Sequence, residues 1–165
     1  MATGKLETDI VRDSILTIRG GEIESITTLK SVPLEDLKAQ GIVIDAAGGF
    51  VLPGFIDVHA HWNGFSSPFP AKSWELETFL AYGVTTVHNP SADNVDAFTE
   101  RSRVEAGYMV GPRIFSVGAV VYNSADSEVY QDATDLEEAR SVLRRIKAEG
   151  GEYAISYKNY NIPSR

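Results

Sequence analysis

Two of the chain's three histidines stand one residue apart, in the stretch VLPGFIDVHAHW from Val51 to Trp62. Imidazole is the commonest neutral metal ligand, and two rings can share one ion when the backbone presents both on the same side. The run from Gly54 to Val58 reads as a buried strand introduced by a Pro-Gly breaker, and residues two apart on a strand share a face. His59 and His61 are therefore expected to point the same way, with Asp57 one step behind them. A lone His-X-His is also compatible with a surface or core pair that holds no ion.

The elements that must position these groups change character near Pro53. Before it, DSILTIR and EIESITTL flank Gly20-Gly21, a pair that permits the positive φ angles of a tight hairpin. A polar and helix-compatible connection, VPLEDLKAQG, follows, and IVIDAAGGFVLPG supplies two further strand candidates around Gly48-Gly49. After Pro53, apolar strands alternate with amphipathic helices. The strand FIDVHAHW leads to a helix from Ser73 to Tyr82, with Ser73 as N-cap and Leu76, Phe79 and Leu80 on one side. VTTVH reads as a second strand, NVDAFTERSRVEAG as a second helix stopped by Gly107, and RIFSVGAVV as a third strand.

Thr134 and Glu137 have capping-box spacing before a third helix. Its apolar stripe is Leu136, Ala139, Val142, Leu143 and Ile146, and Gly150-Gly151 ends it. YAISYKNY is a fourth strand. Four strands alternating with three helices predict an α/β fold with parallel strands and right-handed crossovers, either half of an eight-stranded barrel or an open doubly wound sheet. Barrel enzymes build their sites at the C-terminal ends of the strands, where the histidine pair falls.

Composition narrows the functions. At 165 residues with 43% hydrophobic side chains, the chain can bury a real core. A formal charge of −8 disfavours phosphate backbones and anionic lipid, so neither nucleic acid nor membrane is an expected partner. The absence of cysteine excludes a disulfide framework, a thiolate zinc site and a cysteine nucleophile together. MATGKLETDI lacks the apolar core of a signal peptide, and a cytoplasmic protein is expected.

VIDAAGGFVLPGFIDVHAHW resembles the opening segment of the metal-dependent amidohydrolases, in which strands of a small β-sandwich lead through a Pro-Gly turn to a barrel strand bearing a His-X-His pair. AYGVTTVHNPSADN, GPRIFSVGAVVY and ISYKNYNIPSR continue the likeness, most closely to members associated with TolB-type propellers and to relatives of prolidases and imidazolonepropionases. The resemblance implies that residues 1–52 are part of a β-sandwich and residues 53–165 the first four strands and three helices of a (β/α)8 TIM barrel. It further implies that His59 and His61 hold a divalent metal, usually zinc. Lys158 matches the position of a lysine that carbon dioxide can carboxylate into a metal-bridging anion, although an ammonium in solvent is the plain alternative. Such a lysine must first lose its proton. His88, Tyr160 and Asn161 are weaker candidates to line the site or contact substrate, and each also reads as a loop residue. Trp62 and Trp74 are candidates to wall a pocket.

In the family, further histidines come from the fifth and sixth strands and an aspartate, ligand and general base, from the eighth. Their counterparts are expected beyond residue 165, so the chain by itself is expected to be incomplete for catalysis. Three readings follow. The chain is part of a hydrolase of non-peptide amide, cyclic amide or dipeptide-like carbon-nitrogen bonds, with a small-molecule substrate. Alternatively it is a noncatalytic half-barrel that forms a homodimer or pairs with a complementing second chain. The third reading is an open-sheet α/β binding module without metal.

Overall fold

The computed structural model describes residues 10–31, 33–64, 70–121, 130–131 and 133–159. They belong to two units, Met1–Pro53 and Gly54–Arg165.

In the first unit, β1 (Ser14–Arg19) and β2 (Glu22–Thr28) form an antiparallel hairpin. Gly20 and Gly21 take φ values of 60° and 83°, which gives the two-residue turn its left-handed backbone without a β-carbon penalty. The register slips between Thr17 and Ile18. A 3-10 turn (Leu29–Ser31) leads to α1 (Leu34–Gln40), which Pro33 introduces. The two strands expected in IVIDAAGGFVLPG do not form. Asp45 closes a turn by accepting the Ala47 N–H at 2.7 Å, and Gly49 donates to the Ala46 carbonyl at 2.7 Å. Ile42, Ile44 and Phe50 stay 96%, 88% and 73% exposed, so the β-branched pattern had no ladder to join among the described residues.

The second unit runs β3 (Phe55–Asp57), α2 (Trp74–Ala81), β4 (Val84–Asn89), α3 (Asn94–Glu105), β5 (Arg113–Ser116), β6 (Val120–Val121), β7 (Tyr130–Gln131) and α4 (Leu136–Gly150). It is a mixed α/β arrangement. β3, β4 and β5 pair in parallel and in sequence order, the arrangement that helical crossovers produce. Val87 and Ile114 are register partners and both are buried, forming with Leu76 of α2, Met109 and Ala60 the core beneath the helices. Trp62, Phe79, Val84 and Val104 pack around it.

Caps start the helices where the sequence supplies short polar side chains. Ser73 accepts the Leu76 N–H at 3.3 Å, and Asp93 accepts from Val95 and Asp96 at the head of α3. The cap of α4 is one residue later than the Thr134–Glu137 spacing suggests. Asp135 accepts the Glu138 N–H at 2.8 Å, and Glu138 in return accepts from the Thr134 N–H and hydroxyl at 2.7 and 2.6 Å. Those bonds from Thr134 hold the Glu138 carboxyl below its ordinary pKa. Of the predicted stripe on α4, Ile146 is buried, Ala139 and Val142 are half-buried, and Leu136 and Leu143 are exposed.

RIFSVGAVV is two strands rather than one. The Asn94 side chain accepts the Ala119 N–H at 2.6 Å, and Gly118 sits at φ 66° where a β-carbon would run into the same amide. Among the described residues, YAISYKNY pairs with its neighbours at two isolated parallel bridges, Ser116 with Ala154 and Val121 with Asn159, rather than along a ladder. Among the described residues no helix is long and apolar enough to cross a membrane.

Leu76 is fully buried between α2 and the sheet. Leu76→Ala should destabilise the second unit by about 3 kcal/mol through lost contacts and a residual cavity, read as a lower urea midpoint at unchanged slope.

Candidate functional site

β3 ends at Asp57, earlier than the run FIDVHAHW suggests. The Asp57 carboxylate accepts the His59 N–H at 3.0 Å and turns the chain at Val58–His59. Ala60 then donates to the His88 carbonyl at 3.0 Å, so the loop stays beside the end of β4. His59 and His61 consequently leave the sheet on one side even though neither is in a strand. Their rings are 5.1 Å apart between centroids and nearly perpendicular.

His61 is exposed as a residue, yet its ring is held below the ordinary histidine pKa of 6.5. Partial desolvation is the main cause, followed by the positive charges of His59 and Lys158, while the Asn89 side chain and the Asp57 carboxylate oppose the shift. His61 is therefore biased toward the neutral imidazole, the form that binds metals. Lys158 is within electrostatic reach of the His61 ring.

Several contacts position Lys158. Its carbonyl accepts the Val121 N–H at 2.9 Å, beside the Val121–Asn159 bridge. Further back, Tyr153 lies under the Arg101 guanidinium at 3.9 Å, packs at 5.4 Å from Phe115 and donates its hydroxyl to Glu105.

His88 has both ring nitrogens occupied by the protein. Nδ1 lies 3.2 Å from the Val58 carbonyl and Nε2 3.1 Å from the Ser156 hydroxyl. Because a carbonyl only accepts, Nδ1 carries the proton and Nε2 accepts from Ser156. The ring thus straps the residue before His59 to the segment that carries Lys158. Tyr160 and Asn161 lie outside the described residues.

Trp62 and Trp74 do wall a pocket. A cavity of about 380 Å³ is bordered by them and by Asp57, His61, Phe79 and Tyr82, among others. Two residues of this neighbourhood escaped the reading of the sequence. Asn89 is buried and bonds His61, and its place after His88 at the end of β4 was the available signal. Glu100 is 1% exposed and accepts the Trp62 indole N–H at 2.7 Å. Its spacing with Ala97 and Val104 puts it on the inward face of α3. Among the described residues, no group of three histidine, aspartate or glutamate side chains is arranged to hold a metal ion.

No family model matches the chain. An imidazolonepropionase of Aromatoleum aromaticum is 45% identical over 141 residues, which cover 85% of this chain and 33% of that protein. A dihydroorotase of a Thermoanaerobacter species is 38% identical over 73 residues, covering 40% and 17%. A 5'-deoxyadenosine deaminase of Methanococcoides burtonii is 30% identical over 76 residues, covering 43% and 16%. The chain thus spans between about a sixth and a third of the length of these relatives.

In chelator-treated protein, the His61 ring should titrate below 6.5 by proton NMR. A pKa lower in the folded than in the unfolded chain favours folding above the unfolded value, and that contribution is lost as pH falls through the folded one. Lys158→Met should raise the His61 midpoint. An unmoved midpoint would separate Lys158 from the pair.

Proposed function

The chain belongs to the amidohydrolase superfamily, and from that premise we propose that His59 and His61 are ligands of a divalent metal, zinc first among them, in a hydrolase of carbon-nitrogen bonds. The observation that carries this reading is the 5.1 Å approach of the two rings just past the end of β3. The donor chemistry fits a borderline ion, since a neutral imidazole offers a lone pair that an imidazolium does not. When bound, such an ion supplies Lewis acidity toward a carbonyl and a water molecule.

The chain's own residues prepare the site. Asp57 fixes the turn that aims both imidazoles, Asn89 orients His61, and the His88 strap holds the pair and the lysine segment at one edge. Lys158 is the third ligand in this proposal. Its deprotonated Nζ adds to carbon dioxide, an N–C bond forms, a proton goes to solvent, and the resulting carbamate offers two oxygens where an ammonium offered none. The cavity bordered by Trp62, Trp74, Phe79 and Tyr82 gives an apolar wall beside His61 for a small amide, cyclic amide or dipeptide-like substrate.

The proposal extends to architecture. Three parallel strands in sequence order, followed by bridges at Ala154 and Asn159, are consistent with the first part of a (β/α)8 barrel. Phe55 and Ile56 on the edge strand β3 are 61% and 65% exposed, which suits a strand that a further segment or a second chain covers.

Purified protein supplied with zinc and bicarbonate should carry zinc by native mass spectrometry, together with the added mass of one carbon dioxide. The double variant His59→Ala, His61→Ala should lose the metal, and Lys158→Ala should lose the carbon dioxide and weaken zinc binding. Stoichiometric zinc retained in the double histidine variant would overturn the ligand assignment.

A further inference from the structure

We propose that Glu100, acting through the indole of Trp62, is a positioning residue for the His59–His61 pair. The inference rests on the reading of that pair as a metal site. Glu100 lies on α3, 38 residues from Trp62, and is 1% exposed. A carboxylate at such a place is costly, because burial strips its water and an apolar side chain would pack there without that cost. The residue it holds is therefore informative: Trp62 follows His61 directly, and its Nε1–H donates to Glu100 Oε2 at 2.7 Å. A hydrogen bond partly shielded from water is stronger and more directional than one at the surface.

The geometry around Trp62 makes this bond a fixed point for the loop. The indole packs edge-on against Phe79 of α2 at 6.1 Å and joins the core of Leu76, Val87 and Ile114. One residue on, Asn63 reaches Glu75 of α2 through its backbone and side-chain N–H groups at 3.4 and 3.3 Å. At the other end of the loop, Asp57 holds the His59 amide and the His88 carbonyl holds Ala60. The two histidines are thus suspended between an anchor at the end of β3 and an anchor on α3. Of the anchors beyond His61, the Glu100 bond is the buried one. With it gone, the described segment after Ala60 keeps the packing of Trp62, the Asn89 bond to His61 and the longer, exposed contacts of Asn63, and the His61 ring is held less closely in its relation to His59.

The test measures cobalt affinity and the cobalt d–d spectrum in wild type, Trp62→Phe, Glu100→Gln and Glu100→Ala, alongside the His59–His61 ring contact by NMR in metal-free protein. Trp62→Phe keeps an aromatic ring against Phe79 but removes the donor together with part of the indole volume, so it reports on the anchor even if Glu100→Ala fails to fold, and Glu100→Gln separates the bond from the packing. It should bind cobalt at least about tenfold more weakly, the scale at which ligand-orienting contacts act, with an altered spectrum. Glu100→Gln keeps an acceptor and should stay close to wild type. Wild-type affinity, spectrum and ring contact in Trp62→Phe would overturn the proposal. Should wild type itself bind no cobalt, the metal reading fails separately, and the metal-free ring contact decides: its loss in Trp62→Phe supports the positioning role, and its persistence refutes it.

Discussion

The carboxylate of Asp57 accepting the amide of His59 is the contact on which the site depends. It stops β3 after three residues and replaces the next ladder bonds with a turn. A strand carried on to Trp62 would spread the two rings along a rising backbone. The turn instead gathers them, and the Ala60 bond to the His88 carbonyl keeps the gathered loop against the sheet. A single acceptor thus converts an apolar run into a rigid presentation of two imidazoles, at the sheet end where parallel α/β folds place their chemistry.

Around that turn, the second unit is organised as one apolar layer and one polar rim. Val87, Ile114 and Leu76 fill the layer between sheet and helices, and their burial fixes which ends of the strands are brought level. The rim is made by His88 and Asn89, the last two residues of β4, and by Ser156 and Lys158 of the segment beside them. His88 is the clearest case of a side chain whose chemistry serves architecture, since both of its nitrogens are spent on bonds to Val58 and Ser156. Partial desolvation, and after it the positive charge of His59 and Lys158, then biases His61 toward its neutral form. The rim therefore sets the state of the imidazole as well as its place.

Much of this was legible in the residues, and the misses have physical causes. Gly20-Gly21 specified the hairpin because two glycines supply the two positive φ angles that its turn needs, and Ser73 specified the start of α2 because it caps. The pairing of His59 with His61 was foreseen from strand geometry, whereas the structure achieves it by a turn; spacing alone does not separate the two. The β-branched pattern of IVIDAAGG was mistaken for strands because a strand needs a partner, which a local pattern does not encode. RIFSVGAVV was read as one strand because its break at Gly118 depends on Asn94, which accepts from Ala119 across 25 positions. Glu100 looked like one more charge on a polar helix, and only its register with Ala97 and Val104 gave it away. Lys158 was marked by a resemblance, and its approach to His61 became visible only once the chain was folded.

The central claim is that the His59–His61 pair is a metal centre, and zinc-edge anomalous diffraction from crystals grown with equimolar zinc tests it most directly. The account predicts one strong peak within about 2.1 Å of a ring nitrogen of each histidine, with Lys158 approaching from the side of β6. A peak elsewhere on the surface, or none at this pair while zinc is present at stoichiometry, would contradict it.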